Sequence, residues 1–443
     1  MRGAHHFREE GSEMTGRLSR RTFGLGALGV GASAFGLSAC APGGAAGGGD
    51  TEQTEDRNLT YMYFTDGPDQ KATEDLITKF EQEHDATVAL EIVPFANLEQ
   101  SLQARLSGGN PPDVARLASL TAFQSDLLDL NQFQQEALDG AFLPEIELAA
   151  LPASGERLAV PSDLTMNGPL INLALFEQAG IEVPTAWTWA EMVAAAEEIK
   201  GAAGTEYGIA IDVSGHRFST MLSQYGTNFY NEDGTAVALD EGMAAQMLTD
   251  FTKYNNDGLM PKDLVLQAGS RYSAANEVFL AGQTPIYISG NWQVAAFAEN
   301  ADFEWAVVPN PSQARAGGFP GGKFMAAFKA SPRQELAAEF IAFMNSAESQ
   351  TAMAQGANFL PTRVDLVESG VDYTNRAEDM STFLEDVSAT PPDAFGTAYS
   401  PAFSQIAKDF VAQAGELLAG NVEPAAAATA LTEAAEAALA DVS

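Results

Sequence analysis

Leu59 to Phe64 is a short β-prone run rich in aromatics, stopped by Thr65-Asp66-Gly67-Pro68. Next come Leu76, Ile77 and Phe80, which share one face of a helix, and then Val88, Leu90 and Ile92, which alternate as a strand does. Strand, helix and strand in that order favour a parallel sheet with helices packed on it. The expected class is therefore α/β. Pro111-Pro112-Asp113-Val114 leads into a further short strand, and Leu158 to Pro161 is read as the next.

Helix starts downstream are well marked. Thr188 and Glu191 have the spacing of a capping box ahead of Met192, Val193, Ala196 and Ile199. Ser331-Pro332-Arg333-Gln334 predicts a second box, with proline at the first helical position ahead of Leu336, Phe340, Ile341 and Met344. Asn231 to Gly234 reads as a hairpin turn and lacks the carboxylate spacing of a calcium loop. Pro424 to Leu439, rich in Ala and Glu, predicts a terminal helix.

The first 39 residues are excluded from the fold. Arg20 and Arg21 precede an uncharged stretch, Gly24 to Ala39, that is too short and too glycine-rich for a good transmembrane helix. Ser19-Arg20-Arg21-Thr22-Phe23 resembles a twin-arginine export signal, and Leu37-Ser38-Ala39-Cys40 resembles a bacterial lipobox. General secretion is the other export route open to it. The resemblance implies cleavage before Cys40 and lipidation of its thiol, with residues 40–56 as lipidated cysteine and flexible tether. Met14 and Met1 are both candidate starts. Gly24, Gly26 and Gly29 match a dinucleotide fingerprint, but no strand precedes them and the segment is due for removal.

Without residues 1–39 the chain carries 18 basic and 57 acidic residues, a net charge of −39. Such a chain lacks the clustered cations that nucleic acid requires. Cys40 is the single cysteine, so neither a disulfide framework nor a zinc–thiolate site is expected. Only His84 and His216 remain, far apart, and no metal site is expected. Gly317 to Lys323 nearly spells a phosphate-binding loop, but Phe324 stands where magnesium needs Ser or Thr. No cofactor is expected. Roughly 385 residues follow the tether, too many for one ordinary core and suited to two lobes.

Several segments, in order, resemble the extracellular solute-binding proteins of carbohydrate-importing ABC transporters, the group that includes the maltodextrin-binding proteins. They are Pro112-Asp113-Val114; Val160 to Asp163 with Leu170-Ile171-Asn172, Leu175 to Gly180 and Trp187 to Glu191; Val278 to Gly282 with Gly290-Asn291-Trp292; and Val308-Pro309 through Gly321-Gly322 and Ser331-Pro332 to Leu360-Pro361 and Arg363. That resemblance implies a two-lobed periplasmic-binding-protein-like fold of type II, hinge-linked, with the ligand cleft between the lobes. It implies an N-lobe of 57–162 plus 308–346 and a C-lobe of 163–307 plus 347–443. It also implies a monomer, lipid-anchored on the extracellular face of the membrane, that delivers a sugar or oligosaccharide to a permease and catalyses nothing.

A sugar ring needs an aromatic plate and polar groups placed for hydrogen bonds, in loops that follow strands. Trp292 is the candidate plate, with Asn291 beside it. Tyr63 and Asp66 close the first strand, Arg116 follows the Pro-Asp-Val strand, and Asp163 lies at the first lobe crossing. Tyr225, Arg363, Tyr399 and Phe403 are further candidates, and Gly321 and Gly322 leave room for backbone N–H groups to approach a ligand. Trp187, Trp189 and Trp305 read as packing residues. Two rival classes share these features: a same-fold receptor for a polyamine, iron or an amino acid, and a secreted glycoside hydrolase with two carboxylates across a sugar site.

Overall fold

The computed structural model describes residues 56–65, 67–133, 138–147, 155–266 and 273–442. Cys40, the tether through residue 55, and Asp66 lie outside the described residues.

The predicted opening forms as a parallel unit. β1 (Asn58–Tyr63) pairs in parallel with β2 (Thr87–Ile92), and α1 (Asp69–His84) makes the crossover, burying Leu76, Ile77 and Phe80. On its other side β1 pairs in parallel with β3 (Val114–Leu117). β2 is the outermost strand, so Ile92 at its end stays 40% exposed. The helix α2 (Leu98–Ser107) connects β2 to β3 and buries Leu98 and Leu102.

The strand read as Leu158–Pro161 is far longer in the structure. β4 runs from Val160 to Asn172, thirteen residues, and is buried almost throughout. Its first half, through Met166, pairs antiparallel with β8 (Pro320–Ala327), which itself pairs antiparallel with β3. Its second half, from Asn167, pairs antiparallel with β6 (Ile286–Gly290), which pairs in parallel with β5 (Ile209–Ile211). The short β7 (Trp305–Val307) also pairs with β4. One strand thus belongs to two sheets, β2-β1-β3-β8-β4 and β4-β6-β5, and joins them at Met166–Asn167.

Helices cover both sheets. α3 (Trp189–Ala203) opens with the capping box foreseen at Thr188 and Glu191. α4 (Gly215–Gln224) is capped by the Ser214 hydroxyl, which accepts from Arg217 N. α5 (Glu241–Asn256), α6 (Trp292–Asn300), α7 (Gln334–Met344) and α8 (Ala347–Ala357) follow, and α8 packs on α1. α9 (Ala377–Ala389) packs on β4 and β7, and α10 (Pro392–Tyr399) on β8. α11 (Phe403–Ala419) lies against α4, and the terminal α12 (Pro424–Val442) against α5 and α11.

The second predicted capping box does not form. Ser331 Oγ donates to Asp113 Oδ1 at 2.6 Å and accepts from Arg333 N, and α7 starts two residues later than expected, at Gln334. A buried acid competes for the hydroxyl that the local sequence reserves for a cap. The hairpin turn does form: Asn231 Oδ1 accepts from the backbone of Thr235 and Ala236, and Gly234 takes φ +68°.

Candidate functional site

Strand ends from both sheets converge on one cavity of about 810 Å³. The segment after β3, Ala118 to Gln124, forms one wall, and the segment after β5, Val213 to His216, forms the opposite one. Gly321 and Gly322, at the start of β8, border it, with α10 and α11 alongside. Phe95, 43% exposed, stands at its edge and packs on Phe64. Thr121 Oγ1 donates to the Pro401 carbonyl at 3.1 Å, linking the wall after β3 to the residues just before α11.

The neighbours crowd both glycines. A Cβ at Gly321 would meet Thr165 Oγ1 at 2.6 Å, and one at Gly322 would meet Tyr399 Oη at 3.1 Å. Tyr399 sits against Phe324 and Phe395. Its hydroxyl is shut off from water and has no hydrogen-bond partner among the described residues. Burial, then the Asp163 carboxylate, pushes its pKa above the usual phenol range. A buried hydroxyl left unpaired is costly.

Of the expected site residues, Gly321, Gly322 and Tyr399 line the cavity, as does Phe403. Tyr63, Arg116 and Asp163 are brought together as a buried knot. Arg116 donates to Asp163 Oδ2 at 3.0 Å and to the Phe64 carbonyl at 2.8 Å, and lies 3.5 Å from Asp69 Oδ2. The rings of Tyr63, Phe64 and Phe359 pack on its guanidinium, and Tyr63 donates to Asp69 at 2.5 Å.

The remaining candidates fall elsewhere. Asn291 Oδ1 accepts from Met166 N where β4 changes sheets. The Trp292 ring lies on Arg217, its centroid 4.1 Å from the guanidinium carbon, and is not among the residues lining the cavity. Arg217 in turn pairs with Asp212, which also accepts from Tyr287 and Ser289; burial pushes the Asp212 carboxyl up despite these partners. Tyr225 donates to Asp250 within the helical core, and Arg363 pairs with Asp365. Asp66 lies outside the described residues.

Sequence reading missed His216. It is one histidine in a polar stretch, and no periodicity or motif singles it out. Only the packing of the first turn of α4 beside β8 brings it to the cavity. Burial, reinforced by Arg217 and Lys323, pushes its pKa down to about 3. Among the described residues no cluster of three or more His, Cys, Asp or Glu is placed to hold a metal ion, and no helix is long and apolar enough to cross a membrane.

Two sheets joined through a shared strand, with a cavity where their strand ends meet, define a two-lobed binding fold that takes up a solute between its halves. The chain belongs to the bacterial extracellular solute-binding protein family, whose profile matches residues 75–381. It is similar to the diacetylchitobiose binding protein DasA of Streptomyces coelicolor, 24% identical over 302 residues, 65% of this chain and 69% of that one. Its fold is that of the GacH receptor of Streptomyces glaucescens, solved unliganded and with acarbose (TM-score 0.72, 22% identity, 87% of this chain and 98% of that one). The ABC substrate-binding protein Lmo0181 of Listeria monocytogenes, in complex with cycloalternan, is also similar (TM-score 0.68, 21% identity, 87% and 97%).

Proposed function

We propose that this protein is the substrate receptor of an ABC importer, that it captures a sugar or oligosaccharide in the cavity between its sheets, and that it hands it to a membrane permease. The observation that carries this reading is the cavity's make-up: glycines 321 and 322, the rings of Tyr399 and Phe403 beside them, and one buried hydroxyl without a partner. Aromatic faces suit the apolar side of a pyranose, and isolated polar groups suit its hydroxyls. The sugars bound by DasA, GacH and Lmo0181 support the same class of ligand. The protein works as a monomer, held on the outer face of the membrane by lipid on Cys40.

The lobes meet at the β4 junction. Packing of α8 on α1, and the bridge between Leu360 and Leu164, support a change of lobe after Leu360, later than the 346/347 boundary that the resemblance implies. Ligand binding closes them by hinge motion. Capture rather than hydrolysis is favoured because the carboxylates on the cavity lining, Glu99 and Glu416, are both exposed, whereas a glycosidase acid depends on burial.

A thermal-shift panel tests this. Diacetylchitobiose, maltotriose, acarbose and cycloalternan are compared with putrescine, ferric citrate and amino acids. At a hundredfold excess over Kd a true ligand adds about 2.7 kcal/mol. A saccharide is expected to raise Tm by several degrees. Stabilisation by putrescine or an amino acid alone would overturn the sugar reading.

A further inference from the structure

His216 stands in the first turn of α4 and borders the cavity. Its ring is held edge-on by Phe403, with centroids 4.8 Å apart, and by Phe319 at 6.1 Å. Its Cδ2 lies 3.9 Å from where a side chain at Gly321 would begin, and Tyr399 Oη lies 3.1 Å from where one at Gly322 would begin. Side chains alternate faces along a strand, so the imidazole and the phenol flank Gly321–Gly322 from its two sides, and both border the cavity. The hydrogen bonds at His216 use its backbone: its carbonyl accepts from Thr220 at 3.0 Å and from Asn167 at 3.3 Å. Its ring nitrogens are unengaged among the described residues.

We propose that His216 is a specificity-determining residue of this site, pairing a saccharide hydroxyl as both donor and acceptor on the Gly321 side of β8. The inference rests on the saccharide reading above and narrows it to neutral, hydroxyl-rich ligands. A neutral imidazole offers one donor and one acceptor, and a hydroxyl matches both. A carboxylate can only accept and an ammonium can only donate, so each leaves half of the imidazole unpaired.

Burial keeps the ring neutral, and the surrounding charges reinforce it. Arg217 follows it on α4 and Lys323 reaches it from β8, and both oppose protonation. Lys408 and Glu416 on α11 and Glu99 on α2 also line the cavity, and Asp163 on β4 acts on Tyr399. With a pKa near 3, the imidazole carries no charge between pH 5 and 8.

The experiment uses full-length protein labelled with ¹⁵N-histidine, and the saccharide from diacetylchitobiose, maltotriose, acarbose and cycloalternan that raises Tm most. The His216 resonances, assigned by their loss in His216→Gln, are expected to report a neutral ring at pH 6 and to move on saccharide addition. Those of His84, 3.6 Å from Glu339, are expected to stay in place. Affinity is expected to fall at least tenfold in His216→Phe and less in His216→Gln, which keeps a donor and an acceptor. The NMR arm needs no variant to bind, so a poorly folded variant does not decide the matter. A saccharide that raises Tm but leaves the His216 resonances unmoved overturns this inference and spares the saccharide reading. If no saccharide raises Tm, the reading fails and the inference falls with it.

Discussion

Arg116 is the most enclosed cation in the described structure, 1% exposed, and its charge is met by Asp163 and Asp69. Removing one partner from such a knot leaves buried charge uncompensated. We predict that Arg116→Ala lowers stability by about 3–5 kcal/mol, measured by urea unfolding. Tyr399→Phe is predicted to act with opposite signs on two measurements. Loss of an unpaired buried hydroxyl should leave the free protein as stable or about 1 kcal/mol more stable, while saccharide affinity falls about fivefold or more. Equal affinity for the variant and the parent would show that the hydroxyl meets no ligand. The sequence offers Tyr63, Arg116, Asp163 and Tyr399 alike as candidate ligand contacts. It does not say which of them satisfy one another. That depends on tertiary neighbours such as Phe359, more than 200 residues away from Arg116 and invisible to local pattern.

At the scale of elements, the β-α-β opening and the Thr188 cap are legible because their signals are local: alternation, a hydrophobic face, a three-residue spacing. The length of β4 is not. Pro161, Pro169 and Gly168 break the pattern of a strand, yet all three lie inside it, since β4 is paired by different partners along its two halves. The junction is fastened from α9. Asn310 Nδ2 donates both to the Asn167 carbonyl on β4, at 2.7 Å, and to Asp386 Oδ2 at 2.8 Å. Burial pushes the Asp386 carboxyl up to about 7, against the pull of its Asn310 hydrogen bonds. An unfolded aspartate titrates near 3.9. The folded chain therefore holds a proton between about pH 4 and 7 that the unfolded chain has lost. This contribution to stability is full below about pH 4 and is lost as pH rises through 7. We predict that Asp386→Asn, which keeps the acceptor, shrinks the stability difference between pH 5 and pH 8 by up to about 3 kcal/mol. An unchanged pH slope in the variant would remove Asp386 from the titration.

Over the whole molecule, export, tethering and capture form one reading. The acidic body, with a net charge of −37 over the full chain, suits a solute-facing protein rather than a nucleic-acid binder. We predict that Cys40→Ser releases the protein from the membrane fraction into the medium without changing saccharide affinity, measured by fractionation and calorimetry. Resemblance along the chain carries the two-lobed architecture well, because the order of many weak segments constrains topology even where each alone is uninformative. It carries the site less well, since cavity walls are assembled from strand ends whose facing partners are set only when the sheets share β4. The most direct measurement is a co-crystal structure with the saccharide that stabilises the protein most. We predict it in this cavity beside Gly321, with a hydroxyl meeting the His216 ring. A saccharide bound outside this cavity, or cleaved within it, would contradict capture between the two sheets.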